Sequence, residues 1–425
     1  MNYSQAIEFL HSLNWFGANL GLDNTHKLAA LAGNPQERLR FIHVAGTNGK
    51  GSTCAMLESI YRTAGLRVGL YTSPHLVSFR ERLQVNRQLI SEADVVRLVR
   101  EIKPWLRQCD PSRHPTFFEV VTVMALCYFA EQKCDLVIWE TGLGGRLDAT
   151  NIVTPLASVI TNIGLDHQHW LGDTLEKIAA EKAGIIKPGI PVLTATRQPE
   201  ALRVIEQVAH DKHSSLTIVN LEPGTWNLER ISLSGEHQRL NAALAVATVE
   251  ALQKAIPVNR ETIRRGLETV HWPGRLQLVT RPTGQRVLLD GAHNTDGAEV
   301  LRAAIQRETP VTLILGILAD KDWRAMCRIL APLANRVLLV PVASERTMQP
   351  QKLAVECRDA NPVANIAACE SLADAIVRAG NDPFVVIAGS LYLIGEAMEQ
   401  LGLSPVPSTD EKILNNWQSV TMSKR

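Results

Sequence analysis

The chain has 425 residues, 45% hydrophobic and 20% charged, a composition that can bury large cores and is unlike that of a disordered chain. A formal net charge of +1 gives no general attraction to nucleic acid or anionic membrane, so small-molecule partners are expected. Seven cysteines, scattered and never spaced C-x-x-C, exclude a disulfide framework and a Cys-based zinc site and fit a reducing, cytoplasmic setting. Met1–Trp15 has no basic n-region or continuous apolar core, unlike a signal peptide, and Phe384–Gly395 is too short and too interrupted to span a bilayer.

An amphipathic helical pattern (Ala6, Phe9, Leu10, Leu13) opens the chain. From residue 39 short apolar runs predict strands at 41–45, 68–71, 136–139, 157–160 and 191–193, with helical patterns between them at 53–64, 92–106 and 119–131. That alternation implies a doubly wound, mostly parallel sheet. A less regular region from about 197 to 235 includes a β-rich excursion around 216–233, and helices resume at 240–254 and 261–268. Turn-rich His271–Arg275 and Arg281–Gly284 mark a domain boundary, placing a larger doubly wound domain at 1–280 and a smaller Rossmann-like α/β domain at 281–425. Strands of the second domain are expected at 287–289, 311–315, 336–341 and 384–388, with a loosely ordered tail from about 404.

Gly46-Thr47-Asn48-Gly49-Lys50-Gly51-Ser52-Thr53 follows the first strand and opens a helix. Glycines let backbone N–H groups turn onto phosphate oxygens, Lys50 supplies a point charge, and the helix offers its N-terminus. The spacing departs from the usual phosphate loop: Val44 stands where the first glycine is expected, and Gly51 separates the lysine from the hydroxyl of Ser52.

Other strand ends point the same way. Thr72-Ser73-Pro74-His75 follows the second strand, Glu140 closes an apolar run, and Asp166-His167 follows the fourth. Singly, Ser73-Pro74 reads equally as a simple turn and His167 as a structural histidine. Together beside a triphosphate, Ser73, Glu140 and His167 make a Mg²⁺ shell. Lys182, in Glu181-Lys182-Ala183-Gly184, reads by itself as a solvated helix lysine. In the second domain, Asp290–Asn294, Asp320–Asp322 and Gly389–Tyr392 follow strands and predict a second half-site across a cleft.

With these residues assembled, the chain resembles the folylpolyglutamate synthase and dihydrofolate synthase family of the Mur-ligase superfamily. The resemblance rests on G-T-N-G-K-G-S at 46–52, S-P-H-L at 73–76, E-T-G-L-G-G-R-L-D-A-T-N at 140–151, L-D-H at 165–167 and E-K-A-G at 181–184. It continues with H-Q-x-x-N-A at 237–242, P-G-R at 273–275, D-G-A-H-N at 290–294 and G-S-L-Y-L at 389–393. It implies an amide-forming ligase that makes an acyl phosphate from ATP and a folate carboxylate, then transfers the acyl group to the amine of L-glutamate.

The resemblance also implies roles. Thr47, Asn48, Gly49, Lys50, Gly51, Ser52, Asn241, Arg275 and Asp290 would contact ATP. Ser73, Glu140 and His167 would hold Mg²⁺, and a K⁺ requirement is part of the same expectation. Lys182 would be carbamylated, and His293 would lie near the reacting centre, making Lys50, Lys182 and His293 the catalytic set. Thr116, Phe117, Phe118, Glu119, Leu147, Asp148 and Ala149 match pterin-side contacts, where Phe118 makes physical sense because a planar heterocycle stacks on aromatic faces. A monomer is the family default.

A cell-wall Mur ligase is disfavoured, since only about 45 residues precede the loop, too few for a nucleotide-sugar domain. A P-loop nucleotide switch without ligase activity is the alternative of another class. Within the family, the pterin-side matches allow dihydropteroate, whereas Gly389–Tyr392 looks more like the chain-extending members. The expectation is therefore folylpolyglutamate synthesis, with dihydrofolate synthesis beside it or, as the alternative, alone.

Overall fold

In the computed structural model, which describes residues 1–13, 21–221, 230–406 and 410–415, two sheets organise the chain. The first comprises β1 (Phe41–Ala45), β2 (Val68–Tyr71), β3 (Leu83–Val85), β4 (Gln88–Leu89), β5 (Leu136–Glu140), β6 (Ala157–Ile160), β7 (Val192–Thr194) and β8 (Leu216–Ile218). Their order is β4-β3-β2-β5-β1-β6-β7-β8, parallel from β2 to β8, with β3 and β4 antiparallel at one edge.

Every residue of β1, β2, β5 and β6 is buried, because alternate side chains enter cores on opposite faces. Phe41, Tyr71 and Trp139 face one core, shared with the helices Glu92–Leu106 and Phe117–Glu131. Ile42, Val44, Leu70 and Ile138 face the other, shared with the helices Lys50–Thr63 and Glu236–Ala251. This is the doubly wound sheet that the strand–helix alternation predicts. The hairpin β3–β4 departs from that reading, since its short, half-polar strands carry no apolar run.

The second sheet holds β9 (Gln277–Thr280), β10 (Arg286–Asp290), β11 (Thr312–Leu315), β12 (Arg336–Leu339), β13 (Asn365–Ala368) and β14 (Phe384–Ala388), in the order β13-β12-β11-β14-β10-β9. All pairs are parallel except β9 with β10. The second sheet thus starts at Gln277, a few residues ahead of the division at 280/281.

Of the excursion expected at 216–233, β8 forms, and 222–229 lie outside the described residues. Beyond residue 404, residues 410–415 form a 3₁₀ turn with Glu411, Leu414 and Asn415 buried, which is not the loose order expected of the tail. Residues 407–409 and 416–425 lie outside the description.

Candidate active site

β1 ends between the carboxyl ends of β5 and β6, the position where open parallel sheets bind ligands. The loop that follows is shaped by β6. Thr47 N donates to Asn162 O at 2.8 Å, Asn48 N to Asn162 Oδ1 at 2.7 Å, and Thr161 Oγ1 to Asn48 O at 2.6 Å. Gly46 and Gly49 have φ of 152° and 85°, and a Cβ there would lie 1.8 Å from Thr161 Oγ1 or 2.5 Å from Asn241 Oδ1. Gly49 caps the helix Lys50–Thr63, leaving its first N–H groups directed into the loop.

Two lysines and a carboxylate surround this loop. Lys50 Nζ donates to Gly46 O at 2.9 Å and Thr47 O at 3.1 Å. Lys182 Nζ donates to the same Gly46 carbonyl at 2.7 Å from a buried position, so it is not the solvated lysine of the residue-by-residue reading. Burial, reinforced by the Lys50 charge, pushes Lys182 down to about 7, where a neutral amine is well populated near neutrality.

Glu140, closing β5, accepts from Ser73 N at 3.0 Å. Burial raises its carboxyl to about 7 against the pull of Lys50. A buried carboxylate this reluctant to ionise suits a divalent cation, which would displace its proton. His167 sits after β6 in a left-handed conformation (φ 50°), its N–H donating to Asp166 Oδ1 at 2.8 Å. Among the described residues no group of three His, Cys, Asp or Glu side chains gathers as a metal site. Ser73, Glu140 and His167 contribute only two such side chains, so a magnesium ion there would draw further oxygens from the Ser73 hydroxyl, phosphate and water.

The second domain supplies the facing half. Asn294 Nδ2 donates to Asn48 Oδ1 at 3.0 Å and to Asp166 Oδ2 at 3.1 Å, and Lys321 Nζ lies 2.6 Å from Asp166 Oδ1. His293 Nε2 stands 3.6 Å from Asp166 Oδ2 while Nδ1 meets Gly291 O at 2.8 Å. Asp290 accepts from Leu276 N at 2.8 Å and Ala292 N at 3.0 Å; burial raises its carboxyl and the nearby Arg275 guanidinium lowers it. Asn241 reaches the loop helix through Gln238, whose Nε2 meets Ser52 Oγ at 3.2 Å.

Of the residues expected to contact a pterin, several already have structural work. Thr116 and Glu119 cap the helix Phe117–Glu131 reciprocally, at 2.7 and 3.3 Å. Asp148 accepts from Gly142 N, Leu143 N, Thr150 N and Thr150 Oγ1, and Ala149 is buried beside it. Phe117 is buried beneath Arg82, 5.2 Å from its ring centre. Phe118 and Leu147 remain half-buried, and Phe118 tilts 6.1 Å from Tyr71 beside Gly142.

Sequence reasoning left Asp166, Asn294 and Lys321 out of the site set. Each follows a strand, and Asp166 and Asn294 also stand in the L-D-H and D-G-A-H-N motifs; their convergence is set by how the domains pack.

The chain matches two family models, the Mur ligase middle domain over residues 44–192 and the Mur ligase glutamate ligase domain over 274–391. It is 39% identical to the dihydrofolate synthase/folylpolyglutamate synthase of Bacillus subtilis, over 94% of this chain and 99% of that one. Among solved structures, a Mycobacterium tuberculosis folylpolyglutamate synthase complexed with ADP and AMPPCP superposes with a TM-score of 0.86 at 30% identity, covering 95% of this chain and all of that one. Escherichia coli FolC in complex with DHPP and ADP gives a TM-score of 0.84 at 32% identity, covering 95% and 98%.

Proposed function

The chain belongs to the folylpolyglutamate synthase and dihydrofolate synthase family of Mur ligases, and from that premise we propose how its residues join L-glutamate to a folate carboxyl group with ATP. The observation that carries the proposal is the contact of Asn48, in the phosphate loop, with Asn294 beyond β10, which brings the two strand-end half-sites together.

Loop N–H groups and Lys50 hold the β- and γ-phosphates, with Ser52, Gly51 and Thr47 in the cradle. Asn241 and Arg275 flank the nucleotide, and Asp290 orients the segment 274–276 through Leu276 N. The folate carboxylate attacks the γ-phosphorus, ADP leaves, and the acyl phosphate is then attacked by the glutamate amine, releasing phosphate. Ser73, Glu140 and His167 would hold Mg²⁺, which would supply charge neutralisation for phosphoryl transfer. The neutral Lys182 amine would add CO₂ and release a proton to solvent, forming a carbamate that is an anionic acceptor beside the loop. His293 lies beside the incoming amine. A K⁺ requirement, a cytoplasmic setting and a monomer complete the reading; among the described residues no helix is long and apolar enough to cross a membrane.

The deciding assay is ATP- and Mg²⁺-dependent incorporation of labelled glutamate into dihydropteroate and tetrahydrofolate in parallel. Turnover of both identifies a bifunctional enzyme, and turnover of tetrahydrofolate alone a dedicated polyglutamylase. Turnover of dihydropteroate alone identifies a dihydrofolate synthase. ATP binding with neither ligation overturns the proposal in favour of a nucleotide switch or another carboxylate–amine ligase.

A further inference from the structure

The 3₁₀ turn at residues 410–415 lies hundreds of residues from the first-domain loop that it meets. Glu411 and Asn415 are 2% and 3% exposed, and Leu414 joins the core of the first domain. The Glu411 carboxylate accepts from Ser78 Oγ at 2.8 Å and Phe79 N at 2.6 Å. Asn415 Oδ1 accepts from Arg82 Nη2 at 2.6 Å, and its Nδ2 donates to His75 O at 2.9 Å. Arg82 Nε donates to His75 Nδ1 at 2.9 Å, which leaves the ring hydrogen on Nε2 to donate to Glu411 O at 3.1 Å.

These bonds clamp the segment 75–82 at both ends. Its neighbour is Ser73, whose N–H meets Glu140. The turn also grips the second domain, since the Tyr392 hydroxyl donates to Asn415 O. Tyr392 in turn accepts from Arg346 Nη2 at 2.9 Å, and Arg346 Nη1 pairs with Asp320 at 3.2 Å, next to Lys321. One turn therefore ties the loop carrying Ser73 to the second-domain loop carrying Lys321.

We propose that Glu411 and Asn415 are positioning residues for ligation, forming a strap that fixes the 73–82 loop against Tyr392. The strap acts through the loop and not on the nucleotide, because the bonds described above run from the turn to the 75–82 segment and to Tyr392. The physical reason is preorganisation: a reacting carboxylate must meet its phosphoryl acceptor within a fraction of an ångström, and a loop free to shift loses that geometry. The inference rests on the ligase reading for its catalytic consequence but not for its structural one.

The test compares the full chain with Asn415→Ala and, as a milder variant retaining an acceptor, Glu411→Gln. Amide hydrogen exchange is read over 73–82, and kcat and KM over both folates. Both variants should exchange at 73–82 about tenfold faster than the parent, with amides of the phosphate loop unchanged. In Asn415→Ala kcat should fall about tenfold or more while AMPPCP binding stays within about twofold. Unchanged exchange over 73–82 in both variants overturns the strap. Faster exchange with unaltered kcat and KM overturns its role in positioning. A parent inactive on both folates removes the ligase reading, while the exchange data still decide whether the strap exists.

Discussion

Lys321 Nζ and Asp166 Oδ1 stand 2.6 Å apart, each side chain less than a tenth exposed, so a nearly buried ion pair joins the loop after β11 to the loop after β6. Asp166 also receives the N–H of His167 and the amide of Asn294. Burial raises its carboxyl, but the hydrogen bond from His293 and then the His167 and Lys321 charges outweigh that and hold it well below the usual carboxylate range. Removing one partner of such a pair leaves the other charged and dry. Lys321→Ala should therefore weaken the closed arrangement by about 3–5 kcal/mol, and Asp166→Asn by less, because asparagine keeps an acceptor. Urea unfolding with and without AMPPCP checks this: equal nucleotide-linked stabilisation in parent and Lys321→Ala would refute a link between the pair and domain closure.

Lys50→Ala should abolish ligation with the fold intact. Among the described residues Lys50 bonds to loop carbonyls within four residues of itself, so its loss leaves no distant group there unsatisfied. A drop in kcat of about a hundredfold or more is expected for removing a charge aimed at developing phosphoryl charge. Circular dichroism and turnover on one sample read both halves; near-normal turnover would remove the phosphate-loop assignment.

The phosphate loop was readable in the sequence because its chemistry is local: glycines, a lysine and hydroxyls within eight residues, bounded by a strand and a helix. The buried strands were readable for a similar reason, since a strand covered on both faces is an unbroken apolar run. β4, β9 and β13 carry no such run, because polar, partly exposed residues stand in each: Gln88 in β4, Gln277 and Thr280 in β9, and Asn365 in β13. Lys182 was misread residue by residue, because helical periodicity cannot reveal that its side chain ends under Gly46. The partners of Arg82 and Glu411 were unreadable for a stronger reason: more than three hundred residues separate them, and only tertiary packing brings them together.

Lys182 and Glu140 should give the unliganded protein a stability minimum near neutrality. Lys182 has its folded value lowered from 10.5 to about 7, so between these values the unfolded chain holds more protons and stability rises with pH. Glu140 is raised from 4.5 to about 7, so between those values the folded chain holds more protons and stability falls as pH rises. Lys182→Met should flatten the limb above 7, and Glu140→Gln the limb below it. Denaturant unfolding from pH 5 to 9 in EDTA checks both; unchanged limbs in the variants would show that other groups set the profile. Mg²⁺ should bind more tightly as pH rises through 7, because the metal competes with the Glu140 proton.

In the proposed reading, the Phe118 ring is the face on which the folate heterocycle stacks. Its ring is half-buried beside Gly142 and Tyr71, at the N-terminus of a helix whose cap is made by Thr116 and Glu119. Phe118→Ala should raise KM for the folate about tenfold, the upper end of what an aromatic face-to-ring contact contributes, and leave KM for ATP unchanged. Gly142→Ala should reproduce the defect without touching the ring chemically, since the added Cβ would lie 2.4 Å from Phe118 Cζ and force the ring aside. Steady-state kinetics with each substrate varied in turn discriminates the outcomes. Equal rises in both KM values would mean that Phe118 supports the whole site; a rise for folate alone in both variants fixes the ring as the surface on which the heterocycle rests.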